Sequence, residues 1–344
     1  CSNTPKPWLT TLAQEGLLLK LVRPAYESPE VFILAPDRHR IGPRFNEINS
    51  AIERSIDLLT DQRVNFGMVN EEDLAALPAS AKALIWPLPY CPADETFERV
   101  LDWVNAGGTL YLSGHIGFDA TRKPTRSGRL AQLGLPETTA VAPFDTPEEL
   151  WSEEPVESKV GEGRVLYAPY PLELRGDESN GAVYGRLVDL AGLQRIAVEP
   201  QDAGVRVLSN PTVEGGRLYM LARRYGARDP RPVTLPAAGV TVDLAERGFA
   251  FVLTGPQGET QAVESQGQVT IGDATIARGD GHYALCALHG RDLRLSAELL
   301  VLPHHCGEVK LSAGLLSGKS TLWLGAPGTE GAVMQLPAAD AEGY

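Results

Sequence analysis

The residues best suited to chemistry stand in one short stretch, Ser113-Gly114-His115-Ile116-Gly117, with Asp119 two positions further on. Glycines at the end of a β-run are the setting of a nucleophile elbow, a sharp strand-to-helix turn that lifts a side chain clear of its sheet. Ser113, His115 and Asp119 supply the residue types of a nucleophile, a base and an acid, as an amidase or other hydrolase would use them. Their spacing argues the other way. A triad is assembled from separated elements, and three residues at one strand end seldom converge. Two further strand ends carry groups able to touch a ligand: Asp37-Arg38-His39-Arg40, and Pro87 to Cys91, directly after Trp86. Asp37, His39, Trp86 and Tyr90 are therefore the candidate ligand-binding residues, because open α/β sheets bind ligands outside the carboxyl ends of their strands.

The C-terminal third holds a second group of reactive types. His282, Cys286 and His289 fall on one β-run, where a period of two sets His282 and Cys286 on one face and His289 on the other. His304-His305-Cys306 follows a proline. The four cysteines form no C-x-x-C pair, so half-buried imidazoles and core thiols are the expected reading and no metal site is predicted. No Gly-rich phosphate loop of the Walker or dinucleotide type occurs, and no cofactor is expected. The acidic pairs Glu71-Glu72, Glu148-Glu149 and Glu153-Glu154 read as solvated surface.

The elements that must position these residues follow from periodicity. The chain's 344 residues argue for two domains. Residues 27–200 alternate short apolar runs with helical periods. Val31 to Ala35, Ala83 to Trp86, Thr109 to Leu112 and Arg164 to Ala168 are strands, with helices over Asn46 to Thr60, the stretch from Asp94 to Gly107, and Val183 to Ala191. Such alternation predicts an open parallel sheet with helices on both faces, a flavodoxin-like architecture. Residues 204–344 carry many short β-runs between Gly-rich turns and no helical period, which predicts an antiparallel β-sandwich. Residues 1–26 form a separate lead, in which Trp8 to Pro24 reads as one amphipathic helix with six leucines.

Charge and hydropathy exclude some classes of partner. A formal net charge of −13 opposes a grip on a nucleic-acid backbone. The longest apolar runs fall far short of the roughly 20 residues that span a bilayer, so no transmembrane segment is predicted. The start Cys1-Ser2-Asn3-Thr4-Pro5 fits the mature end of a lipid-anchored bacterial protein, or a piece of a longer chain. Cytoplasmic and exported locations both stay open.

Four segments, in order, resemble the β-galactosidase trimerisation domain of family 42 glycoside hydrolases. They are Ser28 to Leu34, Leu101-Asp102-Trp103-Val104-Asn105-Ala106-Gly107-Gly108-Thr109-Leu110, Ser127 to Leu135, and Gly161-Glu162-Gly163-Arg164-Val165-Leu166-Tyr167. The resemblance implies an amidotransferase-like fold without the catalytic Cys. Accordingly, Gly114-His115-Ile116-Gly117 holds no Cys, and Pro169 to Glu173 after the late strand holds no His. The family's barrel, which carries both of its catalytic Glu residues, is absent, so no functional residue carries over. The resemblance implies a non-catalytic accessory and oligomerisation region of a β-galactosidase-like glycosidase. Its partners would be copies of itself, as a homo-oligomer or trimer, or a barrel domain, with carbohydrate as the ligand class. A stand-alone carbohydrate-binding or cell-surface lipoprotein is the alternative, and a hydrolase using the Ser113–Asp119 turn is the third reading.

Overall fold

The computed structural model describes residues 24–36, 45–137, 151, 153–175, 180–224, 231–244 and 248–258, and beyond these the segments 260–265, 269–271, 274–276, 283–286, 301–302, 320–324 and 332–336. It divides into two units, Ser28–Arg195 and a second that joins residues 24–27 to those from Ile196 onward. The leucine-rich stretch before Pro24 lies outside the described residues, as do Asp37 and His39.

The first unit runs β1 (Val31–Ala35), α1 (Phe45–Asp61), β2 (Gly67–Asn70), β3 (Ala83–Trp86), α2 (Asp94–Asn105), β4 (Thr109–Ser113), α3 (Arg129–Gln132), β5 (Val156–Val160), β6 (Gly163–Ala168) and α4 (Asn180–Leu190). Short 3-10 helices at Glu71–Ala76 and Leu172–Leu174 follow β2 and β6. The six strands lie in the order β2-β1-β3-β4-β6-β5. Five are parallel, and β5 pairs antiparallel with β6. The expected all-parallel sheet is therefore mixed at one edge. β5 reads Val-Glu-Ser-Lys-Val and its first two residues are exposed, so it lacks the continuous apolar run that marks the central strands.

β1, β3 and β4 are buried at every position because helices cover both faces of the sheet. The pleat sorts their side chains. Val31, Ile33, Ile85, Tyr111 and Leu166 pack with α1 and α4, whereas Phe32, Leu34, Leu84, Leu110 and Val165 pack with α2 and the short α3. α1 buries Ile48, Ala51, Ile52, Leu58 and Leu59 at helical spacing, and on the same face it buries Ser55.

The glycines of the family-like segments are close-approach points. A Cβ on Gly108 would lie 2.4 Å from two atoms of the Trp103 ring. One on Gly163 would lie 2.0 Å from the Val104 carbonyl oxygen and 2.4 Å from that of Gly108. Gly161 turns the β5–β6 hairpin at φ +56°. Gly161 and Gly163 weld the end of α2 to the hairpin through backbone, and Gly108 seats the Trp103 ring.

The second unit is built from β7 (Val205–Pro211), β8 (Arg217–Arg223), β9 (Val233–Leu235), β10 (Val240–Val242), β11 (Phe249–Thr254), β12 (Thr260–Ser265), β13 (Val269–Ile271), β14 (Ala274–Ile276) and β15 (Tyr283–Cys286), then β16 (Val301–Leu302), β17 (Ser320–Leu324) and β18 (Ala332–Leu336). The sheets β15-β12-β11-β8-β7 and β14-β13-β10-β9 are antiparallel. Val207, Leu221 and Val252 of the first share one apolar cluster with Val233, Val240 and Val242 of the second. A third sheet, β16-β17-β18, holds one parallel pair, β16 with β17, where the sequence had suggested antiparallel pairing throughout. Pro24 bridges to Thr212, and the Ala25 N–H donates to the Pro211 carbonyl, tying residues 24–27 to this unit. Among the described residues, no helix is long and apolar enough to cross a membrane.

Candidate functional site

β4 ends at Ser113, and the chain after β6 returns beneath it through Pro169, Tyr170 and Pro171 to Glu173. The Gly114 N–H donates to the carbonyls of both Ala168 and Tyr170, which locks the two strand ends together. The Ser113 hydroxyl donates to Glu173 Oε2 at 2.5 Å, and the Tyr111 hydroxyl donates to Oε1 at 2.7 Å. Tyr184, on α4, places its hydroxyl 3.0 Å from the same Oε1 and 2.8 Å from Ser55 Oγ on α1. Ser55 in turn donates to the Ala51 carbonyl of its own helix, at 2.9 Å. Five side chains from four parts of the chain thus form one continuous polar string inside the apolar layer.

Ser55 directs its hydrogen to Ala51, so it accepts from Tyr184, whose hydroxyl also faces Glu173 Oε1. Three hydroxyls thus converge on one carboxyl group. Burial pushes the Glu173 carboxyl above its ordinary value of 4.5, against the opposing pull of the Ser113 and Tyr111 hydrogen bonds. Burial, and then the adjoining Glu173, push the Tyr111 and Tyr184 phenols well above 10.0.

The three residues that sequence spacing brought together have hydrogen bonds in different places. Ser113 is wholly buried and bonded to Glu173. His115 is buried too, and its Nδ1 accepts the Gly117 N–H at 2.8 Å within its own loop. Asp119 sits at the surface, where its carboxylate accepts from Thr121 N and Oγ1, Lys123 N and Thr125 Oγ1. Those four donors hold it well below the usual carboxylate range.

Trp86 and Tyr90 are core residues. Trp86 is fully buried between the sheet and α2, and Tyr90 is buried against Phe118, with ring centroids 5.9 Å apart. Neither ring forms an outer aromatic fringe. Of the second group of histidines and cysteines, Cys286 falls on β15, while His282, His289, His304, His305 and Cys306 lie outside the described residues.

Glu173 is the residue that sequence reasoning passed over. Its signal was present: it is the one charged side chain between Val165 and Leu174, a stretch otherwise made of aliphatic, aromatic and proline residues. A carboxylate at such a place is buried by its neighbours.

The loop that follows β4 is fixed by Arg129, the first residue of α3. Its guanidinium donates to the carbonyls of Ile116 (3.3 Å), Phe118 (3.1 Å) and Pro92 (3.1 Å), and to Asp94 Oδ1 (2.6 Å). It also lies 5.1 Å from the centroid of the Phe97 ring. Arg126 forms a two-pronged pair with the same Asp94, at 2.7 and 2.8 Å. The two guanidinium groups hold the Asp94 carboxyl well below its ordinary range.

No family model matches the chain, and no curated protein matches it. The solved structures it is similar to include several β-galactosidases. That from Rahnella sp. R3 is 18% identical over 60% of this chain, with a TM-score of 0.44. That from Bacillus circulans sp. alkalophilus is 14% identical over 75%, with a TM-score of 0.44. That from Halorubrum lacusprofundi is 17% identical over 71%, with a TM-score of 0.45. The chain spans 37%, 41% and 42% of those proteins' own lengths, respectively.

Proposed function

We propose that this chain is a non-catalytic accessory and oligomerisation region of a β-galactosidase-like glycoside hydrolase. It would comprise an amidotransferase-like, flavodoxin-like α/β domain over about residues 27–200 and a β-sandwich over 204–344. The observation that carries the reading is the burial of Ser113. The hydroxyl at the end of β4 is sealed in the core and bonded to a fully buried carboxyl, so the strand end that would hold a nucleophile serves packing instead. Two further features support it. The five parallel strands follow the 2-1-3-4-5 order of flavodoxin-like sheets. The family-like segments around Gly107-Gly108 and Gly161-Glu162-Gly163 act as backbone contacts, which is what an architectural module needs.

The test is turnover together with assembly state. The purified chain is expected to release neither nitrophenol from nitrophenyl β-galactoside nor ammonia from glutamine. By light scattering it is expected to exceed the monomer mass, or to bind a glycosidase barrel. Turnover that disappears in Ser113→Ala would overturn the non-catalytic reading in favour of a hydrolase at the Ser113–Asp119 turn. A strict monomer at tens of micromolar would remove self-association and leave docking to a barrel.

A further inference from the structure

The amino-terminal edge of the six-stranded sheet, opposite Ser113 and Glu173, holds a depression of about 780 Å³. That volume suits a small-molecule ligand. Its walls come from four places: the entries to β3 and β4 (Lys82, Thr109), the end of α2 (Trp103), the β5–β6 hairpin (Glu162, Arg164) and the end of α4 (Asp189).

We propose that this depression is a binding subsite for a neutral saccharide, with the Trp103 ring as its platform and Glu162 and Arg164 as its hydrogen-bonding arms. The ring lies flat on the Gly108 backbone, since a Cβ there would sit 2.4–2.5 Å from three atoms of its six-membered ring. One face is thereby used, and Trp103, only partly buried, is one of the residues that line the depression. An indole held in this way presents a rigid apolar plane that needs no ordering when the C–H face of a pyranose packs on it.

The charged groups decide the ligand class. Lys82 is paired with Glu30 and Asp189 with Arg195, each at 2.5 Å. Glu162 and Arg164 are both exposed, and among the described residues neither side chain has a hydrogen-bond or ion-pair partner. One offers acceptors and the other a planar fork of donors, which together match vicinal hydroxyls. The four lining charges sum to zero, and the carboxyl ends of α2 and α4 add partial negative charge. A phosphate or other anion is therefore not favoured, while a polyhydroxyl ligand with an apolar face is.

The experiment titrates the whole chain with lactose, cellobiose and, separately, inorganic phosphate, following the indole N–H signals by NMR and the heat by calorimetry. A millimolar affinity for a disaccharide is expected, with the Trp103 indole signal (assigned through Trp103→Phe) shifting on binding. Arg164→Ala and Glu162→Ala, both at exposed side chains, are each expected to weaken binding about tenfold. No shift at about 50 mM of either sugar would overturn the proposal, as would binding that both variants leave unchanged, or binding of phosphate alone. None of these failures touches the accessory reading, which stands or falls on turnover and assembly.

Discussion

The Ser113 hydroxyl donates to Glu173 Oε2 at 2.5 Å across sixty residues of sequence, and both side chains are buried. In an open cleft such a contact would suggest an activated hydroxyl. Here both groups are sealed in the core, and Tyr111 and Tyr184 flank the carboxyl. The contact fastens the end of β4 to the segment that leaves β6.

Removing that hydroxyl should therefore cost stability. Ser113→Ala leaves Glu173 Oε2 without its donor and the Leu88 N–H, 3.3 Å from Ser113 Oγ, without its acceptor. A loss of about 1–3 kcal/mol is expected in urea unfolding, with a cooperative transition retained. A variant as stable as the parent would show that water enters the site and replaces the hydroxyl.

The buried acid sets a pH dependence of defined sign. The folded state holds the Glu173 carboxyl above 4.5, so it binds a proton that the unfolded state gives up more readily. The stabilisation is complete below about pH 4.5 and is lost as pH rises from there through the raised folded value. Within that window the parent should lose up to about 1.4 kcal/mol per pH unit relative to Glu173→Gln, whose amide cannot ionise. Unfolding midpoints of both proteins from pH 5 to 9 check this. Parallel curves would mean that Glu173 titrates at its ordinary value.

The layout of the α/β unit could be read from sequence because both of its faces are covered. Val31–Ala35, Ala83–Trp86 and Thr109–Ser113 are apolar runs too short for helices, and prolines or glycines stop each of them. β5 could not be read in that way, since an edge strand is held by one neighbour and Glu157-Ser158-Lys159 has no apolar face to advertise it. The site was hidden for a different reason. Ser113, His115 and Asp119 drew attention by being close in sequence, whereas the groups that meet are Ser55, Tyr111, Ser113, Glu173 and Tyr184, which only the crossovers of the sheet bring together. Trp86 and Tyr90 mark a strand end correctly, yet both rings are buried: the pleat sends Trp86 to the side of Leu84 and α2, and Tyr90 packs in the opposite layer.

The glycines of the α2–β4 turn and the β5–β6 hairpin should tolerate nothing larger. Gly163→Ala drives a Cβ to 2.0 Å from the Val104 carbonyl oxygen, and backbone rather than a flexible side chain must move. A loss of about 3 kcal/mol or failure to fold is expected. Gly128→Ala is the control. Its φ of −69° suits alanine and its Cβ would meet nothing within 4 Å, so stability should stay within about 0.5 kcal/mol of the parent.

Arg129 should prove the keystone of the loop that follows β4. Its side chain is 2% exposed, and its guanidinium satisfies three backbone carbonyls that have turned inward to meet it. Arg129→Met fills the volume but leaves those carbonyls facing an apolar chain, and a loss of about 3 kcal/mol is expected. Arg129→Lys keeps the charge without the planar fork, cannot reach all the acceptors from one nitrogen, and should fall between methionine and the parent. Asp94→Asn should cost less than about 1 kcal/mol, because Asp94 is half exposed and an amide oxygen can still accept from Arg126 or Arg129. Hydrogen exchange separates the loop from the whole fold. The Arg126 N–H, bonded to the Gly117 carbonyl at 2.8 Å, should exchange faster in Arg129→Met than the amides of β4 do. Equal acceleration of both would mean that the guanidinium holds the entire unit together, and an unchanged Arg126 amide would mean that the loop stands without it.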